Sequence, residues 1–303
     1  MATLARSSPA RGPSPRRRRA WVGWQFTAPF LAVFALVFLA PIGYGIYLSL
    51  FSTKLIGGTT FAGADNYTKA LSDPQFWSAF GRVALFLAVQ VPIMLFLALL
   101  LALAIDSGRL HGAAFFRISV FLPYAVPAVV AALMWGFMYG DRFGLVGHLE
   151  RASHVNWPDL LSPDVILVSI GNIVTWEFVG YNMLILYSAL RVVNPSLYEA
   201  AEIDGAGQVR IIRAIKLPVL RGPLLIATIF SIIGSFQLFN EPSILKTLAP
   251  NSISTFYTPN LYAYSLSFSG QQYNYSATIA VVMGVITMLV AYLVQLRGLR
   301  RAS

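Results

Sequence analysis

The chain has no cysteine among its 303 residues, which excludes disulfides, thiol catalysis and thiolate metal sites. Histidine occurs only at His111, His148 and His154, all between the apolar runs, so no intramembrane metal site or histidine-based triad can be built from it. Charge is equally scarce, with 11% Asp, Glu, Lys and Arg against about 25% in a soluble globule. The patterns Gly-x-Ser-x-Gly, His-Glu-x-x-His and Gly-x-x-x-x-Gly-Lys-Ser/Thr are missing, which removes a nucleophile elbow, a zinc-protease helix and a phosphate loop. No catalytic group, metal ligand or cofactor is expected. If ATP drives this protein, another subunit binds it.

Apolar residues take up the difference. They make up 57% of the chain, and the mean hydropathy is +0.66. The sequence reads as an all-α integral membrane protein with six spans, at 24–48, 79–105, 116–139, 165–190, 224–245 and 276–296, each near the roughly 20 residues that cross a bilayer core. A signal peptide is the rival reading of the first run. It fits poorly, because the run is too long and no small-residue cleavage site closes it; Phe51, Lys54 and Leu55 follow instead. The expected organisation is a basic, disordered cytoplasmic tail at 1–23, a first transmembrane helix at 24–50 and a five-helix core at 77–297.

Sixteen of the 22 Lys and Arg fall on one side of this arrangement: the tail with Arg16 to Arg19, Arg109 and Arg117, the 191–221 loop, and Arg297, Arg300 and Arg301. Asp106, Glu199, Glu202 and Asp204 leave that side strongly positive. On the other side Lys54, Lys69, Arg82, Arg142, Arg151 and Lys246 are balanced by Asp65, Asp73, Asp141, Glu150, Asp159 and Asp164. The excess places both termini in the cytoplasm. Positive charge is therefore a topology and lipid-surface signal, and nucleic acid is not an expected partner.

Pro41, Pro92, Pro123, Pro127 and Gly180 interrupt the spans. Such residues are common in membrane helices, and they also mark broken helices that line a path. Trp77, Trp135, Tyr139 and Trp157 near span ends read as interfacial anchors. Glu177 lies near the middle of the fourth span, where a carboxylate needs a partner, a proton or water. Glu177 and Tyr181 share one helix face, and Asn172 and Trp176 share another about 100° away. The fifth span adds Ser231, Ser235, Gln237, Asn240 and Glu241. Rings beside amides and carboxylates suit a small neutral polyhydroxylated ligand. The same groups can instead hold helices together. The candidate path residues are thus Glu177, Tyr181, Asn172, Trp176, Gln237 and Asn240.

The loop at 191–222 carries the most specific pattern. Asn194 followed by Pro195 predicts a capped helix start. Leu197, Ala200 and Ala201 give it an apolar side, with Tyr198, Glu199 and Glu202 on the polar one, and Gly205 allows the turn that ends it. A second helical stretch at 209–215 continues to Pro218. Lying on lipid and docking on a protein both remain open, with the acidic residues favouring a protein.

Glu199-Ala200-Ala201, Asp204-Gly205-Ala206 with Gly207, and Leu217-Pro218 resemble the signature of the inner-membrane permease subunits of binding-protein-dependent ABC importers. The run at 183–186 and Pro195 to Glu199 resemble the carbohydrate subgroup, the maltose-type and glycerol-3-phosphate-type permeases; Leu122-Pro123 and the run at 235–239 fit as well. The likeness spans 25–297. Ile212 stands where these permeases usually have Phe, and Arg191 and Asn194 stand where Gln and Ile are commoner.

This resemblance implies the type I ABC importer permease fold in a bacterial inner membrane. It implies a second homologous permease, two ATPase subunits and an extracytoplasmic solute-binding protein as partners. Glu199 to Gly207 would enter a cleft on one ATPase, with Ile212 and Pro218 as supporting positions, and the solute would be a sugar or oligosaccharide. A secondary transporter driven by an ion gradient, with Glu177 in the ion site, is the alternative.

Overall fold

The computed structural model describes residues 15–54, 56–108, 110–141, 144–153 and 157–302, with side chains between 24 and 298. The tail to residue 14, Leu55, Arg109, Arg142 and His154 lie outside the described residues, as do the side chains of Arg16 to Arg19, Arg300 and Arg301.

Helices α1 (Pro15–Phe34) and α2 (Ala40–Ser49) run on from one another through a π-helical turn at Ala35–Leu39. An antiparallel hairpin follows, β1 (Phe51–Lys54) with β2 (Gly58–Phe61), in the register Phe51 opposite Phe61. Helix α3 (Asp65–Ser72) then leads into α4 (Pro74–Asp106). Asp73 starts α4 by accepting the Gln75 amide at 2.8 Å, and Pro74 occupies the first turn, where its missing N–H leaves nothing unpaired.

Helix α5 (Ala113–Phe121) passes through a 3-10 turn at Leu122–Ala125 and breaks before α6 (Ala128–Tyr139). The two halves meet at 98°. Val126, held extended ahead of Pro127, accounts for the break, since the residue before proline is driven out of helical geometry. After α7 (Leu145–Ser153) come α8 (Ile166–Leu190) and the short α9 (Pro195–Ile203). Helix α10 (Gln208–Ile211) continues through a π-helical turn at Ile212–Lys216 into α11 (Leu217–Phe236). The chain ends with α12 (Asn240–Leu248), α13 (Pro259–Phe268) and α14 (Tyr273–Ala302).

Among the described residues five helices are long and apolar enough to cross a membrane: Trp24–Ser49, Pro74–Asp106, Ile166–Leu190, Gln208–Phe236 and Tyr273–Gly298. The bent α5–α6 pair makes a sixth if it counts as one span. The fifth run differs from the expected 224–245. Its helix stops at Phe236, and α12 is a separate piece beginning at Asn240 with Pro242 in its first turn, where proline is tolerated. Gly180 does not interrupt α8. A Cβ there would collide with the Val120 carbonyl, so this glycine lets α5 and α8 touch backbone to backbone.

Helices α4 and α8 pack along each other and form the spine. Ala98 and Ala102 bring α4 close to Met183, Leu186 and Leu190 of α8 and Leu220 of α11. Nearer the other end, Phe86 meets Ile166, Ile170 and Ile173 of α8 and Leu245 of α12. Helix α14 packs on α2, α3, α11 and α13, burying Ile279 and Met283 against Phe76, Val83 and Phe236. The first long helix joins the bundle only through its α2 end: its most apolar window is 0% buried, and Phe26, Phe30, Leu36 and Ile42 are exposed. The short elements α3, α12 and α13 gather where α4 and α14 begin, whereas α9 and α10 lie at the opposite end.

Candidate transport site and its coupling loop

A cavity of about 360 Å³ opens between α4, α8, α11 and the Gln237–Glu241 break. Tyr124 and Tyr181 stack across it with ring centres 4.8 Å apart and planes 16° from parallel, and Phe178 meets Tyr124 edge-on. Polar groups complete the lining. Gln90 donates to Thr175 Oγ1 at 3.2 Å, Asn182 donates to the Phe178 carbonyl at 3.0 Å, and Ser231, Ser235, Gln237, Asn240 and Glu241 line the α11–α12 side. Flat rings with amide donors and acceptors around a space of this size can hold hydroxyl-rich solutes by stacking and hydrogen bonding.

Of the path residues expected from the sequence, Tyr181, Gln237 and Asn240 line this cavity. Glu177 lies behind its wall at 3% exposure, with its carboxyl beside the buried carboxyl of Glu241. Asn172 and Trp176 do not line the cavity. Asn172 donates to the Tyr139 hydroxyl at 2.8 Å, and Trp176 packs edge-on against Trp135, so this face of α8 holds α6. Tyr139 is accordingly buried, not an interfacial anchor, and its hydroxyl donates to the Ser169 carbonyl at 3.3 Å. Sequence reasoning missed Gln90, Tyr124 and Asn182. Gln90 had a signal, a lone amide in the apolar run at 83–105.

The second feature is α9 with its flanks. Asn194 caps it by accepting the Ser196 amide at 3.1 Å. Its end is closed twice, by Ala206 N–H on the Ala201 carbonyl at 2.9 Å and Gly205 N–H on the Glu202 carbonyl at 3.0 Å. This double closure requires a left-handed residue, and Gly205 supplies it with φ +77°. The helix is therefore fixed at both ends, yet none of its residues is buried. Leu197, Ile203 and Val209 are exposed beside Glu199, Ala200, Asp204 and Gly207, while Ala201, Ala206 and Ile212 are half-buried and Pro218 is exposed. Tyr198 departs from the expected polar face. It turns inward, its ring 5.2 Å from Lys216 Nζ. Gln208 donates to Glu202 at 3.2 Å and ties α9 to the next segment. The helix is thus well capped and displays both apolar and acidic side chains to the outside.

No protein-family model matches the chain. Curated relatives do. The lactose transport system permease protein LacF of Rhizobium radiobacter is 31% identical over 277 residues, covering 89% of this chain and 92% of that protein. The diacetylchitobiose uptake system permease protein NgcF of Streptomyces coelicolor is 31% identical over 307 residues, covering 94% and 86%. Among solved structures, a bacterial ABC transporter involved in the import of the acidic polysaccharide alginate superposes with a TM-score of 0.82 at 18% identity, covering 95% of this chain and 98% of that one. The fold is thus the all-α type I ABC importer permease fold. With relatives at this identity matched over nearly their whole lengths, the chain belongs to the permease subunits of ABC importers for carbohydrate uptake, which are not catalytic and leave ATP hydrolysis to a separate subunit.

Proposed function

We propose that this chain forms half of the translocation pore of an ATP-driven importer for a small neutral sugar or oligosaccharide. A second homologous permease supplies the other half, two ATPase subunits sit below, and an extracytoplasmic solute-binding protein delivers the solute. Both termini face the cytoplasm of a bacterial inner membrane, with α5–α6 counted as the third of six spans. Residues 1–23 carry the basic charge ahead of the first span, 24–50 form that span and 77–297 the pore-forming core. Glu199 to Gly207 seats in a cleft of one ATPase, with Ile212 and Pro218 supporting it; ATP-driven closure moves α9 as a lever and opens the cavity to the outside. Tyr181, Gln237 and Asn240 contact the solute, and Glu177 backs the path.

The observation that carries this reading is α9: it is capped at both ends, and Leu197, Glu199, Ile203 and Asp204 face outward from it. Affinity purification of the tagged protein in mild detergent, with mass spectrometry of what is retained, tests it. A second permease and an ATPase are expected to come with it; a lone protein after crosslinking in several detergents overturns it. The ion-driven alternative rests on the buried pair of carboxyls, Glu177 beside Glu241. Uptake that collapses with the ion gradient and continues without ATP would favour it.

A further inference from the structure

Behind α9 lies an ion pair that the coupling pattern does not include. Lys216 Nζ donates to Asp106 Oδ2 at 2.6 Å, and each side chain is only 7% exposed. Asp106 is the last residue of α4, at the end of a helix where its own dipole disfavours a carboxylate. Lys216 is the last residue of the π-helical turn that joins α10 to α11. The contact therefore fastens the end of α4 to the start of α11 across 110 positions of sequence. The Tyr198 ring of α9 covers Lys216, and its hydroxyl is buried without a hydrogen-bond partner. Burial first, then the charge of Asp106, pushes the Tyr198 hydroxyl pKa up.

A buried ion pair contributes little net stability compared with apolar side chains of the same size. What it adds is direction, because a charge-assisted hydrogen bond holds one geometry and resists sliding. We propose that Asp106, Lys216 and Tyr198 form the joint through which displacement of α9 is carried into α4 and α11, with Asp106 and Lys216 as positioning residues for coupling. The proposal rests on the ATPase-docking reading of α9. The ring fixes α9 to the cation, and the carboxylate fixes the cation to the spine that borders the cavity.

The test uses the complete importer in proteoliposomes and reads solute imported per ATP hydrolysed, with subunit assembly recorded separately. The double variant Asp106→Leu/Lys216→Met fills the same space without direction. It is expected to assemble like the wild type while the transport ratio falls about tenfold, within the range of coupled sites. Tyr198→Leu, on an unburied helix, is expected to lower the ratio likewise with the ion pair intact, and Lys216→Arg to keep it. A double variant that assembles and keeps the wild-type ratio overturns the joint. Should the double variant fail to assemble, Tyr198→Leu decides, and a wild-type ratio there overturns the joint too. A wild-type complex that imports nothing under ATP would instead defeat the docking reading, so the two failures are distinguishable.

Discussion

Single residues carry two separable roles in this chain, and Asp73 shows the structural one. Its Oδ2 accepts the hydroxyls of Tyr262 and Tyr275, each at 2.7 Å, while Oδ1 caps α4. Burial pushes this carboxyl up, but the Tyr275 and Tyr262 hydroxyls and the Gln75 and Phe76 amides outweigh burial and hold it below its ordinary 3.8. A carboxylate with a depressed folded-state pKa adds stability that is present above the unfolded value and is lost as pH falls through the folded one. Asp73→Ala is expected to lose about 1–2 kcal/mol at neutral pH. The variant should also lose part of the wild type's decline in melting temperature below about pH 4. A series of thermal melts across pH checks both. Gly180 has a steric role: Gly180→Val should separate α5 from α8 and lower the yield of folded protein in detergent by size-exclusion chromatography.

The elements show what could be read in advance and what could not. Long apolar runs marked the helices well, and Asn194, Pro195 and Gly205 gave α9 its limits, because caps and left-handed turns are local chemistry. The end of the fifth helix was not legible. Leu238 and Leu245 look like lipid-facing residues in a hydropathy window, but both are buried against protein, one in the break and one in α12. Helical spacing separates the two faces of α8 but does not say which helix covers each, so Asn172 and Trp176 read as path residues although they face α6. Inward-turned Tyr198 was hidden for the same reason, its partners being 18 positions downstream and 92 upstream. For α9 itself, Gly205→Val is expected to leave the subunit inserted and assembled while uptake falls at least tenfold against retained ATP hydrolysis. Paired transport and phosphate-release assays measure it; normal uptake in a well-expressed variant would sink the idea.

At the scale of the molecule, the charge distribution makes a prediction that the composition renders easy to check. Since the chain has no cysteine, each introduced thiol is the sole target for a maleimide. Ser196→Cys on exposed α9 should be protected from an impermeant reagent in intact cells, and Ser269→Cys after α13 should react. The reverse labelling would invert the topology.

The first long helix has a consequence of its own. Its most apolar window is 0% buried and only its α2 end packs on α14, yet a cluster of four arginines precedes it. During synthesis this segment reaches the translocon before α4 exists, and its flanking charge can set the orientation of every later helix without any help from tertiary contacts. Because its most apolar window contributes nothing to the core, the sequence of that window is free to serve biogenesis. Replacing its exposed apolar residues with others of similar hydropathy should leave the finished transporter unchanged, whereas neutralising the arginines should disturb how the chain is threaded.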